Sequence, residues 1–283
     1  MRESLFLCQA PFIETHFTFR YYEENFNKHS PPRMASRTDA ARAIVLACHR
    51  LYDCGFVTAT DGNVSARLEC GNILVTPTSL NKGQVSEGDL VELKSDGTPV
   101  TLSRKASTEL DMHLFIYQQR PDVQAVVHAH PPHATGFATA RIPLTACLFP
   151  EVIVGLGAIP LADYATPSTK EVAESLRPHI QNADAILLAN HGVVAYGNNV
   201  EDAYSKLEKV EHAAHITFVA KMLGGEQALS SGELDKLRAI SHSSYGKEFS
   251  GKVACQPALD SGDVTESDLK EMIREVLQKM KSK

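Results

Sequence analysis

The chain has 283 residues, 43% of them hydrophobic, enough to bury a sizeable core in one large domain or two small ones. Its net charge is −6 and no block of lysine or arginine forms a nucleic-acid footprint, which argues against DNA or RNA as a partner. No window approaches the roughly 18 consecutive apolar residues of a membrane span, and the N-terminal region lacks a signal-peptide core.

Residues 1–33 are polar and aromatic without clear periodicity and end in Ser30-Pro31-Pro32-Arg33. They read as a flexible leader, or as an extension upstream of a true start at Met34. The globular part, 34–250, begins near Ser36. Ala40, Ile44, Val45, Cys48 and Leu51 recur at helical spacing, and Gly55 follows as a stop signal. Asp61–Arg67 reads as a turn into a strand, Ile73–Thr76 as a second strand and Leu90–Leu93 as a third. A helix opens at Ser107-Thr108-Glu109 and carries Leu110, Leu114 and Tyr117 inward until Pro121. The apolar run Ala125–Val127 predicts a buried strand. A turn follows Pro160, then a helix capped near Ser168 with Glu171 three residues on. Ala185–Ala189 is another strand, and a long helix covers about Val200 to Leu223. Strands and helices alternate, so the fold class is α/β. The six cysteines, at 8, 48, 54, 70, 147 and 255, are scattered without a C-x-x-C pair, which predicts reduced thiols and a cytoplasmic setting.

Two apolar runs end in histidine. Side chains alternate along a strand, so His128 and His130 share a face about 7 Å apart, within reach of one ion. The second run delivers His191 to the same end of the sheet. Three neutral imidazoles with one open or carboxylate-filled position make a catalytic zinc site. A reaction at such an ion also needs a proton carrier. Glu109, in the first turn of its helix, either fills the fourth position and moves protons or merely caps that helix. Ser107 and Thr108 at the same terminus, the Thr78-Ser79 loop and Asn63 offer donors suited to a phosphate, although each alone is also ordinary turn or cap chemistry. His212 and His215, at i, i+3 on the long helix, lack a third ligand and read as surface or packing residues. His133 follows the Pro-Pro turn as a support to the site, and His113 reads as a core or interface histidine.

These pieces occur together in a known order: DGNVSAR at 61–67, VTPTS at 75–79, KASTE at 105–109, HAHPP at 128–132, ADYATP at 162–167 and NHG at 190–192. Over about residues 36–225 the chain resembles the class II aldolase/adducin family, and within it the L-fuculose-phosphate aldolases. The resemblance implies a single three-layer α/β/α domain around a mainly antiparallel sheet. It implies one zinc ion per subunit on His128, His130 and His191, with Glu109 as resting ligand and acid/base. It implies a phosphate pocket from Asn63, Thr78, Ser79, Ser107 and Thr108, and a Tyr164 that crosses to a neighbouring subunit of a homotetramer to protonate the aldehyde oxygen. The family often has Gly where Ser79 stands and Ser where Thr108 stands.

The implied reaction is reversible cleavage of a ketose 1-phosphate, such as L-fuculose or L-rhamnulose 1-phosphate, to dihydroxyacetone phosphate and lactaldehyde. Relatives with the same metal site epimerise, dehydrate or decarboxylate sugar phosphates. The epimerases tend to carry Asp where this chain has Glu109. A metal-free, adducin-like scaffold would have lost the ligands that survive here.

The last segment stands apart. Residues 251–263 are rich in Gly, Pro, Ser and Asp and read as a linker. In 264–283, Leu269, Met272, Ile273, Val276, Leu277 and Met280 form one apolar stripe, with Thr265 placed as N-cap. This helix resembles the encapsulation peptides of bacterial microcompartment enzymes, which bind shell proteins. The resemblance implies residence in a microcompartment lumen; the alternative is a helix that packs on its own enzyme.

Overall fold

A computed structural model describes residues 35–100, 104–245 and 255–257. The leader and the amphipathic helix at 264–283 lie outside the described residues. Helix α1 (Arg37–Asp53) starts where the Ser36 hydroxyl accepts a hydrogen bond from the Asp39 N–H at 3.2 Å. Its buried face is Ala40, Ala41, Ile44, Ala47, Cys48 and Leu51, and Gly55, at φ +69°, turns the chain away.

One seven-stranded sheet follows: β1 (Asn63–Arg67), β2 (Ile73–Val75), β3 (Val91–Leu93), β4 (Ala125–Ala129), β5 (Leu161–Ala162), β6 (Ala185–Leu188) and β7 (Gly192–Gly197). Their spatial order is β3-β2-β1-β4-β7-β6-β5. Every neighbouring pair is antiparallel except β5 with β6. The helices between and after the strands are α2 (Leu110–Gln119), α3 (Pro132–Thr139), α4 (Pro150–Gly155), α5 (Lys170–Ser175), α6 (Val200–Met222) and α7 (Ser231–Tyr245).

Strand alternation divides the core in two. Val64, Ala66, Ala125, Val127, Ala129, Val193 and Ala195 pack with α1 and α6 on one face. Val126, Ile186, Val194 and Tyr196 pack with Met112 and Ile116 of α2 and Val172 of α5 on the other. The fold is therefore a three-layer α/β/α domain with a mainly antiparallel sheet, as expected. No described helix is long and apolar enough to cross a membrane.

Several elements depart from the sequence reading. Strands β5 and β7 and helices α3, α4 and α7 were not foreseen. Pro131-Pro132 signals a turn, yet Pro132 is the first residue of α3, a position that needs no N–H. Helix α5 is capped by Thr169, not Ser168. Thr169 has the extended backbone that a cap requires, whereas Ser168 sits at φ +63°. On α2 the buried residues are Met112, His113, Phe115, Ile116 and Tyr117, while Leu110 and Leu114 are only half-buried.

The expectation of reduced thiols is also corrected: Cys147 and Cys255 form a disulfide, and Cys48, Cys54 and Cys70 are free. The partners are 108 residues apart, so no local spacing announces the bond. Backbone bonds accompany it, from Cys147 N–H to Gln256 O at 3.0 Å and from Gln256 N–H to Thr145 O at 2.7 Å. A cross-link over so long a loop restricts the unfolded chain, worth about 2–5 kcal/mol. Cys255→Ser should therefore lower the urea midpoint of the oxidised protein, and peptide mapping without reductant should recover the 147–255 pair. A midpoint that reductant leaves unchanged would contradict the bond.

Candidate metal centre

The antiparallel pairing of β1 with β4 sets Asn63 opposite His128. His130 lies just past the end of β4, where its N–H donates to Phe56 O at 2.9 Å. His191 sits in the turn from β6 to β7. That turn needs Asn190 at φ +55°, a conformation that Asn tolerates better than most residues. Gly192 must lack a side chain, because a Cβ there would lie 2.5 Å from Ala129 O and 2.6 Å from His130 Cδ2.

These constraints gather His128, His130 and His191, whose ring centroids are 4.9, 4.7 and 5.1 Å apart. Their ligand nitrogens lie within 4.8 Å of one another, the one group among the described residues that could hold a metal ion. The His128 Nδ1–H donates to Val193 O at 2.8 Å, which leaves the Nε2 lone pair facing the cluster. His128 Nε2 and His130 Nε2 are 3.1 Å apart. Two nitrogens bound to one tetrahedral zinc would be about 3.4 Å apart, given metal–nitrogen distances of about 2.0–2.1 Å, so this spacing fits an ion.

Glu109 completes the group. It occupies the position just before α2 but makes no capping bond with its side chain, so it is not a simple helix cap. Its Oε2 lies 3.3 Å from His128 Nε2 and its Oε1 lies 3.1 Å from His191 Nε2. Asn63 Nδ2 donates to Oε2 at 2.7 Å, while Oε1 is buried and accepts no well-aligned hydrogen bond. A buried carboxylate oxygen without a partner is costly; turned toward three imidazoles, it suits a cation. Burial alone would raise the Glu109 pKa, but His128 and then His191 hold the carboxyl far below the usual carboxylate range. Burial, with His128 and His191 adding to it, brings His130 down to about 3, so that its ring offers a lone pair.

Beside this cluster two hydroxyl-bearing loops meet. Thr78 N–H donates to Lys105 O at 3.0 Å and Ser107 N–H to Thr76 O at 3.2 Å, which sets Thr78 and Ser79 next to Ser107 and Thr108. Ser107 Oγ accepts from Glu109 N–H at 3.3 Å, and Ser168 Oγ donates to Thr108 Oγ1 at 3.0 Å. Asn63 does not stand free in this group. It is buried, and both ends of its amide are engaged, by Glu109 and by His113 Nε2.

Residues 42–218 match the family model described as Class II Aldolase and Adducin N-terminal domain. The chain belongs to the class II aldolase and adducin family. It is 32% identical over 206 residues to a 5-deoxy-D-ribulose 1-phosphate aldolase of Bacillus thuringiensis, covering 72% of this chain and 96% of that one. It is 32% identical to a 3-oxo-tetronate 4-phosphate decarboxylase of Escherichia coli K12, over 65% of this chain and 88% of that one. Among solved structures, an L-fuculose 1-phosphate aldolase matches at 33% identity with a TM-score of 0.66, over 72% of this chain and 96% of that chain. The chain is thus a class II aldolase, a carbon–carbon lyase whose histidine cluster could hold the metal that such enzymes use.

The aldolase frame clarifies other positions. Ser79 has φ +57°, a left-handed conformation that glycine adopts freely and that a serine holds at some conformational cost. Tyr164 is exposed, and Arg141 is the cation over its ring at 5.9 Å. His133 is not beside the ligands. Its Nδ1 lies 2.7 Å from Glu211 Oε1 and its ring stacks on His215 at 4.0 Å. Glu211 also accepts the His133 and Ala134 N–H groups at 3.1 and 2.8 Å, pinning the start of α3 just after His130. The sequence reading missed Glu211; its only signal is a charge on an otherwise inward-facing helix position.

His113 proves more than a core residue. It bonds Asn63 Oδ1 through Nε2, accepts at Nδ1 from Ser65 Oγ at 2.7 Å, and so orients the amide that holds Glu109. Burial, with His128 adding to it, lowers its pKa from 6.5 to about 3. Between those values the unfolded chain binds a proton that the folded chain refuses, so stability should fall as pH drops through that window. His113→Phe should lose about 1–3 kcal/mol for each buried partner left unsatisfied and show a shallower decline between pH 6.5 and 3. Urea unfolding across that range measures both, and equal slopes would refute the assignment.

Proposed function

We propose that this class II aldolase cleaves a ketose 1-phosphate reversibly to dihydroxyacetone phosphate and a small aldehyde. Zinc is the ion, L-fuculose 1-phosphate, which releases lactaldehyde, is the leading substrate, and L-rhamnulose 1-phosphate is a second. The observation that carries this reading is the Glu109 carboxylate held against His128 and His191, one buried oxygen accepting no well-aligned hydrogen bond, beside the paired hydroxyl loops. Relatives named as aldolases of sugar 1-phosphates support it.

His128, His130 and His191 would hold the ion, with Glu109 as fourth ligand at rest. When bound there, a divalent ion supplies a Lewis acid that draws electron density from the ketone and the adjacent hydroxyl. The hydroxyls of Thr78, Ser79, Ser107 and Thr108, with the N–H groups of Ser79 and Thr108, bind the phosphate and fix the distance from it to the ketone carbon. Asn63 contributes by orienting Glu109 more than by binding phosphate itself. Glu109 moves the proton at the carbon next to the carbonyl as the carbon–carbon bond breaks or forms. Tyr164, reaching a neighbouring subunit of a homotetramer, exchanges the proton of the aldehyde oxygen; its exposure in the single chain supports that placement.

A second reading, decarboxylation of a sugar-acid phosphate at the same site, is favoured by the 3-oxo-tetronate 4-phosphate decarboxylase relative. A panel of ketose 1-phosphates, with metal analysis of the same sample, decides between them. About one zinc per chain, release of dihydroxyacetone phosphate and loss of activity with a chelator are expected. Glu109→Gln should reduce turnover by about a hundredfold or more while most of the metal stays. Metal-loaded protein that splits no ketose 1-phosphate would end the aldolase reading.

We also propose that residues 34–250 form the catalytic domain, that 1–33 are a leader or an extension upstream of a true start at Met34, and that the 264–283 helix binds microcompartment shell proteins, the linker read over 251–263 being shortened to the residues after the Cys255–Pro257 attachment to the domain. The apolar stripe and the Gly/Pro/Ser-rich stretch before it support this. Fused to a fluorescent protein in a shell-forming host, residues 261–283 should gather fluorescence into foci; diffuse signal would count against encapsulation.

A further inference from the structure

Lys82 opens a short 3-10 turn, Lys82–Gln84, and has no part in the mechanism above. It is 1% exposed, among the most deeply buried large side chains of the protein. Removing an ammonium group from water costs several kcal/mol, so a lysine at such depth needs partners. Its Nζ donates to Thr60 O at 3.0 Å and to Leu80 O at 2.8 Å.

These carbonyls belong to two separate loops. One, residues 58–62, leads into Asn63; the other, 77–81, carries Thr78 and Ser79. Each carbonyl directly follows a non-glycine residue in the left-handed region, Ala59 at φ +44° and Ser79 at φ +57°. Such conformations are strained for residues with a side chain and persist only where the surroundings hold them. Lys82 is placed to hold both. Among the described residues no carboxylate lies within ion-pair distance of it, so its charge is not cancelled by a bonded anion. Burial lowers the Lys82 pKa, while Cys48, Asp61 and Glu109 favour its charged form; burial pushes the Cys48 thiol itself up to about 12 and keeps it neutral.

We propose that Lys82 is a positioning residue for the anionic end of the substrate: it clamps the two strained loops into one wall and sets a fixed positive charge behind Thr78 and Ser79. This rests on the reading of Thr78, Ser79, Ser107 and Thr108 as a phosphate pocket. A neutral side chain in its place would lose both the clamp and the field, and the loss would fall on anion binding before it reached metal binding.

The test is calorimetric titration of inorganic phosphate into the metal-loaded wild type, Lys82→Met, Lys82→Gln and Ser107→Ala proteins, with metal content measured in each. Lys82→Met should weaken phosphate by about tenfold or more with metal content unchanged, and should raise KM for the sugar phosphate more than it lowers kcat. Lys82→Gln keeps two donors without the charge and should fall between; it carries the same test if Lys82→Met does not fold. If Ser107→Ala weakens phosphate while both folded Lys82 variants stay within about twofold of wild type, Lys82 is only a staple of the fold and the inference fails alone. If Ser107→Ala leaves phosphate binding unchanged, the pocket reading fails and takes this inference with it.

Discussion

Strand β1 turns Asn63, Ser65 and Arg67 toward α2, where Glu109, at the start of the helix, His113 and Tyr117 meet them. Two residues of strand advance about 6.8 Å and four residues of helix about 6 Å, so alternate strand positions can stay level with every fourth helical one. The result is a continuous buried row. Glu109 bonds Asn63, Asn63 bonds His113, His113 bonds Ser65 and Ser65 bonds Tyr117. Arg67 closes it with its guanidinium on the Tyr117 carbonyl and 4.5 Å above the ring. Each member fixes the orientation of the next, and an unpaired one would be costly at this depth. The carboxylate of Glu109 is thereby aimed at the histidines by a network anchored about two helical turns away.

The rest of the site serves the same end with different means. His128 is locked by the Val193 carbonyl, His130 by the Phe56 carbonyl and by the tight approach of Gly192. Glu211 pins the chain just beyond His130. Ala59, Ser79 and Asn190, all non-glycine residues with positive φ, fall in the loops that border the cluster. Strain concentrated there is sustained by a well-packed sheet, and it shapes a pocket that ordinary turns would not.

Electrostatics add a gradient across this pocket. The acidic group, Glu109, faces the histidines, while the ammonium of Lys82, bonded to the Thr60 and Leu80 carbonyls, lies under the loops with the hydroxyls. An ion at one end and a phosphate at the other match that division of charge. Away from these loops, the Cys147–Cys255 bond ties residues 255–257 to the Thr145–Cys147 stretch.

Much of this was legible in the residues alone. The continuous apolar runs ending near His128 and His191, the Ser36 and Gly55 signals around α1, and the ordered short motifs determined the α/β class, most strands and helices, and the identity of the three histidines. Those are local patterns, set by side-chain alternation and backbone preference. Tertiary structure alone decided that Glu109 is no cap, that Asn63 and His113 serve it, that Glu211 and Lys82 brace the loops, and that Cys147 finds Cys255. Each of those facts depends on partners 46 to 108 positions apart or on a buried charge meeting carbonyls from two loops. No short window of sequence carries such information, because the energy of a buried polar group depends on which distant group the fold brings to it.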